Sequence, residues 1–467
     1  MSVLRRFNAK RLAAPGRMRL GWLALLLLAA TLALPGTAAA AGVPNPTVVG
    51  PVMGGIHGYP VNHTIYPLSG PGYNYSESEY FFSGTATDLS NGTTAPYTSR
   101  MLVRIPTDPT KFNGIVLVDW MNVTDGQDFE FTWWPSAYQY LMQQGYGYVA
   151  VTAQAVGANY LHVWDPERYA LINHPGDNYS FDIFSQAIKA IRDPADNATS
   201  ILYPQKVDPM NGLQVKYVVA GGVSQSAGRL NSYINGGYNS GARHLVDAYN
   251  IERDTGGPVK DFSTFVFGLN EETPLVSSEP ADNPHYVLWQ EAGASHETRV
   301  WWDYRWSTMQ RDGVPPGSPD PINSGCATLN SDWGVNEGRI DQRVRAMLYW
   351  TQKYLATGKL PPAAPRIEYD ANGNPVRDSN GLAVGGLRDT FVQVPIALNR
   401  GDGCVFWGQY EPWSNDKIRS LYPTQAQYVS DVTVWAKYEV QKGWLLPQDR
   451  DDDIAQAQAL TAPWSGQ

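Results

Sequence analysis

One short segment, residues 222–228 (GVSQSAG), constrains this chain more than any other. It follows an apolar run at residues 215–220, and it precedes residues 229–235, whose pattern predicts a helix. Where a strand passes straight into a helix, a side chain beside the central residue would clash, so small residues are needed there. The segment therefore predicts a sharp strand–turn–helix unit that presents the hydroxyl of Ser224, a geometry suited to a nucleophile.

The segment departs from the pattern G-x-S-x-G at its last position, where Ser226 stands in place of glycine. Serine is small enough for such a turn, so the departure weakens the pattern without removing it. An ordinary strand-to-helix turn with a surface serine is the alternative. Residues further along the chain decide between the two, because a serine hydroxyl is a weak nucleophile without an adjacent base.

Two predicted strands downstream end in residues that suit the roles of acid and base. Residues 262–269 predict a buried strand followed by Glu271 and Glu272, and residues 286–290 predict the next strand, followed by His296. Only one of the adjacent glutamates can face an imidazole, and this pattern leaves both open. Serine, acid and histidine in that order are typical of an α/β-hydrolase fold.

The alternation of predicted strands and helices indicates an α/β fold with a mostly parallel sheet covered by helices on both faces. We expect an N-terminal β-rich lead-in at residues 42–100 and an α/β-hydrolase catalytic core at residues 101–310. Residues 311–467 are expected to form a C-terminal extension that packs on the core. Within it, residues 341–357 and 425–442 predict helices.

The segment around Ser224 also resembles the nucleophile elbow G-x-S-Q-S-A-x-R-L of the bacterial and fungal "alpha/beta hydrolase domain" family. Further matches to this family follow in order along nearly all of the chain after residue 41, at residues 112–114, 118–123, 165–169, 174–177, 179–187, 289–296, 385–388, 422–423 and 443–447. The resemblance implies a serine hydrolase fold and no particular substrate. It also favours Glu271 over Glu272 as the acid of the triad.

The expected chemistry is hydrolysis of a small-molecule carboxylic ester through an acyl-enzyme. His296 would take the proton of Ser224, with the glutamate holding the imidazole. The main-chain N–H of Gln225 is expected in the oxyanion hole, with a second donor after an early strand, at Asn122 or Met121. An amidase, a thioesterase or an acyltransferase would use the same parts. A non-catalytic binding protein on a hydrolase scaffold is the alternative of another class.

Residues 1–41 have the composition of a signal peptide. Basic residues without any acidic one accompany an apolar stretch at residues 21–34, and an alanine run offers a cleavage site near Ala39 to Ala41. The stretch is too short to span a membrane. We therefore expect an exported protein, secreted or periplasmic, without stable membrane insertion. Both the Sec and the twin-arginine route stay open.

Charge and cysteine content limit the partners further. Loss of the six cations of residues 1–41 would take the net charge from −9 to about −15, and such a surface repels phosphate backbones, so no nucleic-acid partner is expected. Cys326 and Cys404 lack the C-x-x-C spacing of a metal or redox site. In an exported chain we expect them to form a disulfide. No cofactor or metal is expected, and the oligomeric state stays open.

Overall fold

The computed structural model describes residues 42–194, 207–273, 280–314, 335–404 and 406–465. The strands are β1 (Thr47–Val49), β2 (Ser69–Gly70), β3 (Tyr73–Thr87), β4 (Thr94–Pro106), β5 (Ile115–Trp120), β6 (Gly147–Val151), β7 (Tyr217–Val223), β8 (Ala248–Glu252), β9 (Phe265–Asn270), β10 (Tyr286–Ala292), β11 (Leu387–Arg388), β12 (Ala397–Arg400) and β13 (Gln409–Pro412). The helices are α1 (Trp134–Gln144), α2 (Ala155–Trp164), α3 (Ser180–Arg192), α4 (Gln225–Asn235), α5 (Arg299–Asp312), α6 (Ile340–Thr357), α7 (Thr390–Gln393), α8 (Asn415–Leu421), α9 (Gln425–Lys442) and α10 (Pro447–Ala459).

One large sheet forms the centre of the described structure. Its strands follow the order β1-β3-β4-β6-β5-β7-β8-β9-β10-β11, with β2 paired to β3. From β6 to β11 all neighbours are parallel, whereas β1, β3, β4 and β6 pair antiparallel. The mostly parallel sheet predicted from the sequence is confirmed. Strands β1, β2, β3 and the start of β4 lie within the predicted lead-in and belong to the antiparallel side of this same sheet.

Helices cover both faces of the sheet because each presents an apolar stripe to it. On one face, α3 buries Ile183, Phe184 and Ile188 in a cluster that also takes in Leu230 of α4. On the other face, α1 and α6 contribute to a second cluster, in which Trp134 is fully buried. Burial of a large apolar side chain stabilises a fold by about 1.5–3 kcal/mol, so these two layers hold the sheet rigid beneath the loops at its edge.

The predicted elements around the serine agree with the structure, with shifted boundaries. Strand β7 continues three residues beyond the apolar run, to Val223, and α4 begins at Gln225, directly after Ser224. Strand β8 lies between β7 and β9 in the sheet and was not predicted. Both predicted C-terminal helices are present, as α6 and α9.

The C-terminal residues take part in the sheet as well as covering it. Strand β11 pairs in parallel with the end of β10, joining Glu291 to Leu387, and α6 packs against β8 and β9. Every helix in the described ranges is too short or too polar to cross a membrane. The predicted signal peptide, residues 1–41, lies outside the described residues, as does Cys326.

Candidate active site

Ser224 occupies a strained turn between β7 and α4. Its backbone has φ 57° and ψ −121°, a region that costs a residue other than glycine about 1–3 kcal/mol. The turn is held by the Ser224 N–H, which donates to the main-chain oxygens of Glu252 and Arg253 at 3.1 Å each. The residue is 8% exposed. A serine held in this way is the geometry of a nucleophile elbow.

The small residues around Ser224 are explained by close backbone approaches. A Cβ on Gly222 would lie 2.8 Å from the main chain of Ser226, and one on Gly228 would lie 3.0 Å from the Cα of Gly256. Ser226 is tolerated because its hydroxyl donates to the main-chain oxygen of Val223 and accepts its N–H, both at 2.9 Å. Ser226 is fully buried, so this serine ties the turn together.

Glu271 and His296 form a buried pair at the same edge of the sheet. Glu271 follows β9, and His296 lies four residues beyond β10. Oε1 of Glu271 lies 2.7 Å from Nδ1 of His296. Nε2 of the ring is buried and has no hydrogen-bond partner among the described residues. With Nδ1–H donating to the carboxylate, Nε2 is the nitrogen left to accept a proton. No hydrogen bond joins it to the Ser224 hydroxyl in the described structure.

Glu272 faces away from the imidazole and ties down the histidine loop, defined here as residues 293–298. Its carboxylate pairs with Arg377 at 2.5 Å and accepts the N–H groups of Gly293, at 2.6 Å, and Gly401, at 3.1 Å. Burial raises the pKa of Glu272, and Arg377 opposes the rise. Of the two adjacent glutamates, the structure brings Glu271 and not Glu272 to His296.

Asn336 was not singled out in the sequence, yet it is central to the histidine loop. It is fully buried. Its side-chain nitrogen donates to the Gly293 oxygen at 2.7 Å, and its side-chain oxygen accepts the N–H groups of Ser295, at 3.2 Å, and Gly338, at 2.8 Å. No motif or spacing identifies Asn336 in the sequence. Gly338 is two residues away, but Ser295 and Gly293 are 41 and 43 residues away.

The oxyanion donors expected from the sequence differ in whether their N–H groups already donate hydrogen bonds to other residues. Gln225 is the first residue of α4, and N–H groups in a first helical turn have no partner within the helix. Asn122 lies beside the elbow, but its main-chain N–H donates to Phe129 and its side-chain nitrogen to Val223 at 2.8 Å. Its remaining donor is the second amide hydrogen. The Met121 N–H donates to Val151 at 3.3 Å.

An aromatic cluster encloses the elbow and the histidine. Phe131 packs against Trp301 with ring centroids 4.2 Å apart, and it meets His296 edge-on at 5.9 Å. Val223, next to the serine, belongs to this cluster. Such surroundings exclude water and strengthen the electrostatic interactions between the polar groups inside. The described residues contain no group of histidine, cysteine and carboxylate side chains arranged to hold a metal ion.

A serine on a strained strand-to-helix turn, with a buried glutamate–histidine pair at the same edge of a mostly parallel sheet, is typical of the α/β-hydrolase class. The family model described as "Alpha/beta hydrolase domain" matches residues 48–455. The chain belongs to this family, which confirms the resemblance seen in the sequence. Membership supports hydrolase activity and leaves the substrate open.

Solved structures resemble the chain only distantly. Oligopeptidase B from Trypanosoma brucei matches with 12% identity and a TM-score of 0.30, covering 52% of this chain and 37% of that one. The rice cell wall degrading esterase LipA from Xanthomonas oryzae matches with 13% identity and a TM-score of 0.23, covering 39% of this chain and 44% of the esterase. A fungal esterase from Rhizomucor miehei matches with 9% identity and a TM-score of 0.28, over 52% of this chain and 83% of that one. No curated protein matches the sequence.

Proposed function

We propose that this protein is a serine hydrolase that cleaves carboxylic esters of small molecules, with Ser224 as nucleophile, His296 as general base and Glu271 as the acid. The observation that carries the proposal is the 2.7 Å contact between Glu271 and His296, which leaves Nε2 of the ring without a partner, together with the strained turn at Ser224. The sequence order of the three residues is that of the fold.

In this mechanism each residue has one role. Glu271 holds the imidazole in the tautomer with Nδ1 protonated and stabilises the imidazolium that forms. Nε2 of His296 takes the proton of Ser224 as the hydroxyl oxygen attacks the ester carbonyl. Catalytic hydrogen bonds often tighten only when substrate binds, and the Ser224–His296 bond is expected to form then. The protonated histidine returns the proton to the leaving alcohol.

The negative charge of the tetrahedral intermediate needs donors aimed at its oxygen. We assign the Gln225 N–H to this role, since it follows the nucleophile and begins a helix. The second amide hydrogen of Asn122 is the proposed partner donor. Water then attacks the acyl-enzyme, with His296 taking its proton. The bond between the Ser224 oxygen and the acyl group breaks, His296 returns the proton to Ser224, and the carboxylic acid product leaves.

A panel of substrates tests this proposal. Purified protein is assayed with p-nitrophenyl esters of rising chain length, with aryl and sugar esters, and with matched anilides and thioesters. We expect kcat/KM for the best ester to exceed that of the matched anilide and thioester. A higher value for an anilide or thioester would replace esterase by amidase or thioesterase. Failure to turn over any substrate, or to react with a fluorophosphonate, would favour the non-catalytic scaffold.

We also propose that the protein is exported after cleavage near Ala39 to Ala41. The support is the composition of residues 1–41 alone. Expression of the full-length chain in a bacterial host, followed by mass measurement of the extracellular and periplasmic protein, tests this. Recovery of only the uncleaved chain inside the cells would contradict it.

A further inference from the structure

Arg253 is the first residue after β8 and contacts all three segments that carry the proposed triad. Its main-chain oxygen accepts the N–H of Ser224 at 3.1 Å, and its own N–H donates at 2.8 Å to the oxygen of Leu269, two residues before Glu271. Its guanidinium donates from Nη1 to the main-chain oxygen of His296 at 3.0 Å. One residue therefore joins the elbow, the acid strand and the histidine loop.

The backbone of Arg253 is strained. Its φ is 48°, in the left-handed region where glycine is the usual choice. A larger residue persists in such a conformation only where its surroundings determine it, and such positions cluster at functional sites. Glycine at position 253 would keep the same main-chain bonds with less strain, but it would lack the guanidinium. An arginine at this strained position therefore points to a role for the side chain.

The side chain of Arg253 is fully buried in a charged and aromatic environment. Its guanidinium carbon lies 4.5 Å from the centroid of Phe131, the ring that meets His296 edge-on. Three carboxyl groups act on this cation, those of Glu252, Glu271 and Glu297. Burial lowers the pKa of Arg253, and these carboxyl groups oppose the fall. The guanidinium therefore lies close to both members of the glutamate–histidine pair, the carboxyl group of Glu271 and the main chain of His296.

We propose that Arg253 is a positioning residue that fixes the main chain of His296 relative to Ser224. This inference rests on the proposed serine hydrolase function. Removal of the guanidinium would free the oxygen of His296 to move, and a misplacement of about 1 Å can cost about 10²-fold in rate. The side chain of Arg253 is fully buried, so we expect it not to touch the substrate and the loss to appear in kcat.

Two substitutions separate the side chain from the backbone strain. Arg253→Met keeps an apolar stem over Phe131, and Arg253→Gly keeps the positive φ at low cost. For both we expect kcat to fall by roughly 30–100-fold with KM changed by less than about threefold. Arg253→Lys retains the charge without the planar fork, and it should recover part of the lost rate.

The split between kcat and KM distinguishes a positioning residue from general damage to the fold. General damage would lower the fraction of labelled sites, whereas loss of positioning lowers kcat in the sites that remain folded. Partial recovery of kcat in Arg253→Lys would show that the contact with the main-chain oxygen of His296 causes the effect.

Arg168→Met is the matched control. Arg168 is also a buried arginine, and it bonds to Glu79 at 2.7 Å and to the main-chain oxygens of Val52 and Gly54, far along the chain from the triad segments. We expect it to lower the melting temperature while kcat per labelled active site and KM stay as in the wild type.

The comparison is made on active wild-type enzyme, with folded sites counted by fluorophosphonate labelling. Wild-type kcat in folded Arg253→Met and Arg253→Gly, or a loss of kcat that Arg253→Lys does not partly recover, would overturn the inference alone. A wild-type protein without hydrolase activity or labelling would instead overturn the proposed function, and this inference with it. The expected loss of kcat at nearly unchanged KM, absent from Arg168→Met, would support it.

Discussion

Two adjacent carboxyl groups, Glu271 and Glu272, have different surroundings in this protein. Glu271 offers one oxygen to His296, and its other oxygen has no partner among the described residues. Glu272 is bound by Arg377 and two main-chain N–H groups. The strand pattern left the choice between them open, because a shift of one residue at a strand end exchanges their directions, whereas the family resemblance favoured Glu271.

We predict that Glu271→Gln lowers kcat by about 10²–10⁴-fold, because a neutral partner no longer stabilises the imidazolium. Glu272→Gln should lower kcat much less. It should lower the free energy of unfolding by about 1–3 kcal/mol, since it weakens a buried pair with Arg377. Steady-state kinetics and urea unfolding of both variants check this. A larger loss of kcat in folded Glu272→Gln would make Glu272 the acid.

Asp119, in β5, links the stability of the fold to pH. Its oxygens accept the hydroxyl groups of Thr132 and Tyr148, both at 2.8 Å, and burial raises the pKa of Asp119 to about 7. Between its ordinary value near 4 and about 7, the folded protein keeps a proton that the unfolded chain releases. The contribution of Asp119 to stability is therefore full below about pH 4 and falls as the pH rises to about 7.

The variant Asp119→Asn removes this dependence with little change of shape. We predict that its free energy of unfolding relative to wild type rises by about 2–4 kcal/mol between pH 5 and pH 8. The other buried carboxyl groups are common to both proteins and cancel in the comparison, except Glu252. The Asp119 charge helps to raise the pKa of Glu252, so its loss changes the difference in the same direction. Urea unfolding at pH 5, 6.5 and 8 measures the difference. A difference that is constant across these pH values would contradict the assigned titration.

The strand–turn–helix unit of β7 and α4 was predicted because the residues that determine it are adjacent in the sequence. An apolar run, small residues and a helical stretch lie side by side in the sequence. Strand β8 was missed because its cause is not local. It is short and contains Asn250, a buried polar residue whose side-chain nitrogen donates to Thr351 of α6 at 3.0 Å and to the main-chain oxygen of Tyr249 at 3.2 Å. A contact with a helix this far away in the chain cannot be recognised from the residues of the strand itself.

The proposed oxyanion donors also depend on contacts that the local sequence pattern does not show. The sequence placed Asn122 after an early strand, and the structure brings it next to the elbow. The sequence could not show that Asn122 and Phe129 exchange main-chain hydrogen bonds, because such a bridge depends on how the intervening loop closes. A residue can therefore be located from its order in the chain while its free donors stay unknown.

Two substitutions in the turn, Ser226→Ala and Gly222→Ala, should have different effects on activity. Ser226→Ala removes two hydrogen bonds to Val223, so it should lower the free energy of unfolding by about 1–2 kcal/mol and keep most of kcat. Gly222→Ala should damage both, since its Cβ would lie 2.8 Å from the main chain of Ser226. Thermal melts and ester kinetics measure the pair. Equal loss of activity in the two variants would contradict this account of the turn.

At the scale of the whole molecule, the C-terminal residues complete the site. Asn336, Arg377 and Gly401 all contact the histidine loop or the glutamate beside it. The sequence indicated that this region packs on the core, but it could not show these contacts, since they join residues far apart in the chain. The catalytic arrangement therefore depends on residues well beyond the region in which the triad was found.

The predicted disulfide between Cys326 and Cys404 joins two segments of the same C-terminal region. Cys404 follows Gly401, whose N–H binds Glu272, whereas Cys326 lies outside the described residues. We predict that the bridge exists in the exported protein, closing about 79 residues and stabilising the fold by roughly 4 kcal/mol in a chain-entropy model. Reduction should lower the melting temperature more than the initial rate at room temperature. Mass spectrometry of unreduced, alkylated protein decides it, since two alkylated thiols would contradict the bridge.

Ser224 is the proposed nucleophile, and covalent labelling identifies the residue that reacts. Wild-type protein and Ser224→Ala are incubated with a fluorophosphonate, and the modified residue is located by fragmentation of the labelled peptide. We predict one label on wild type, located at Ser224, none on folded Ser224→Ala, and a kcat for that variant below about a hundredth of wild type. A label on Ser226, or a Ser224→Ala variant that still reacts and turns over ester, would contradict the account.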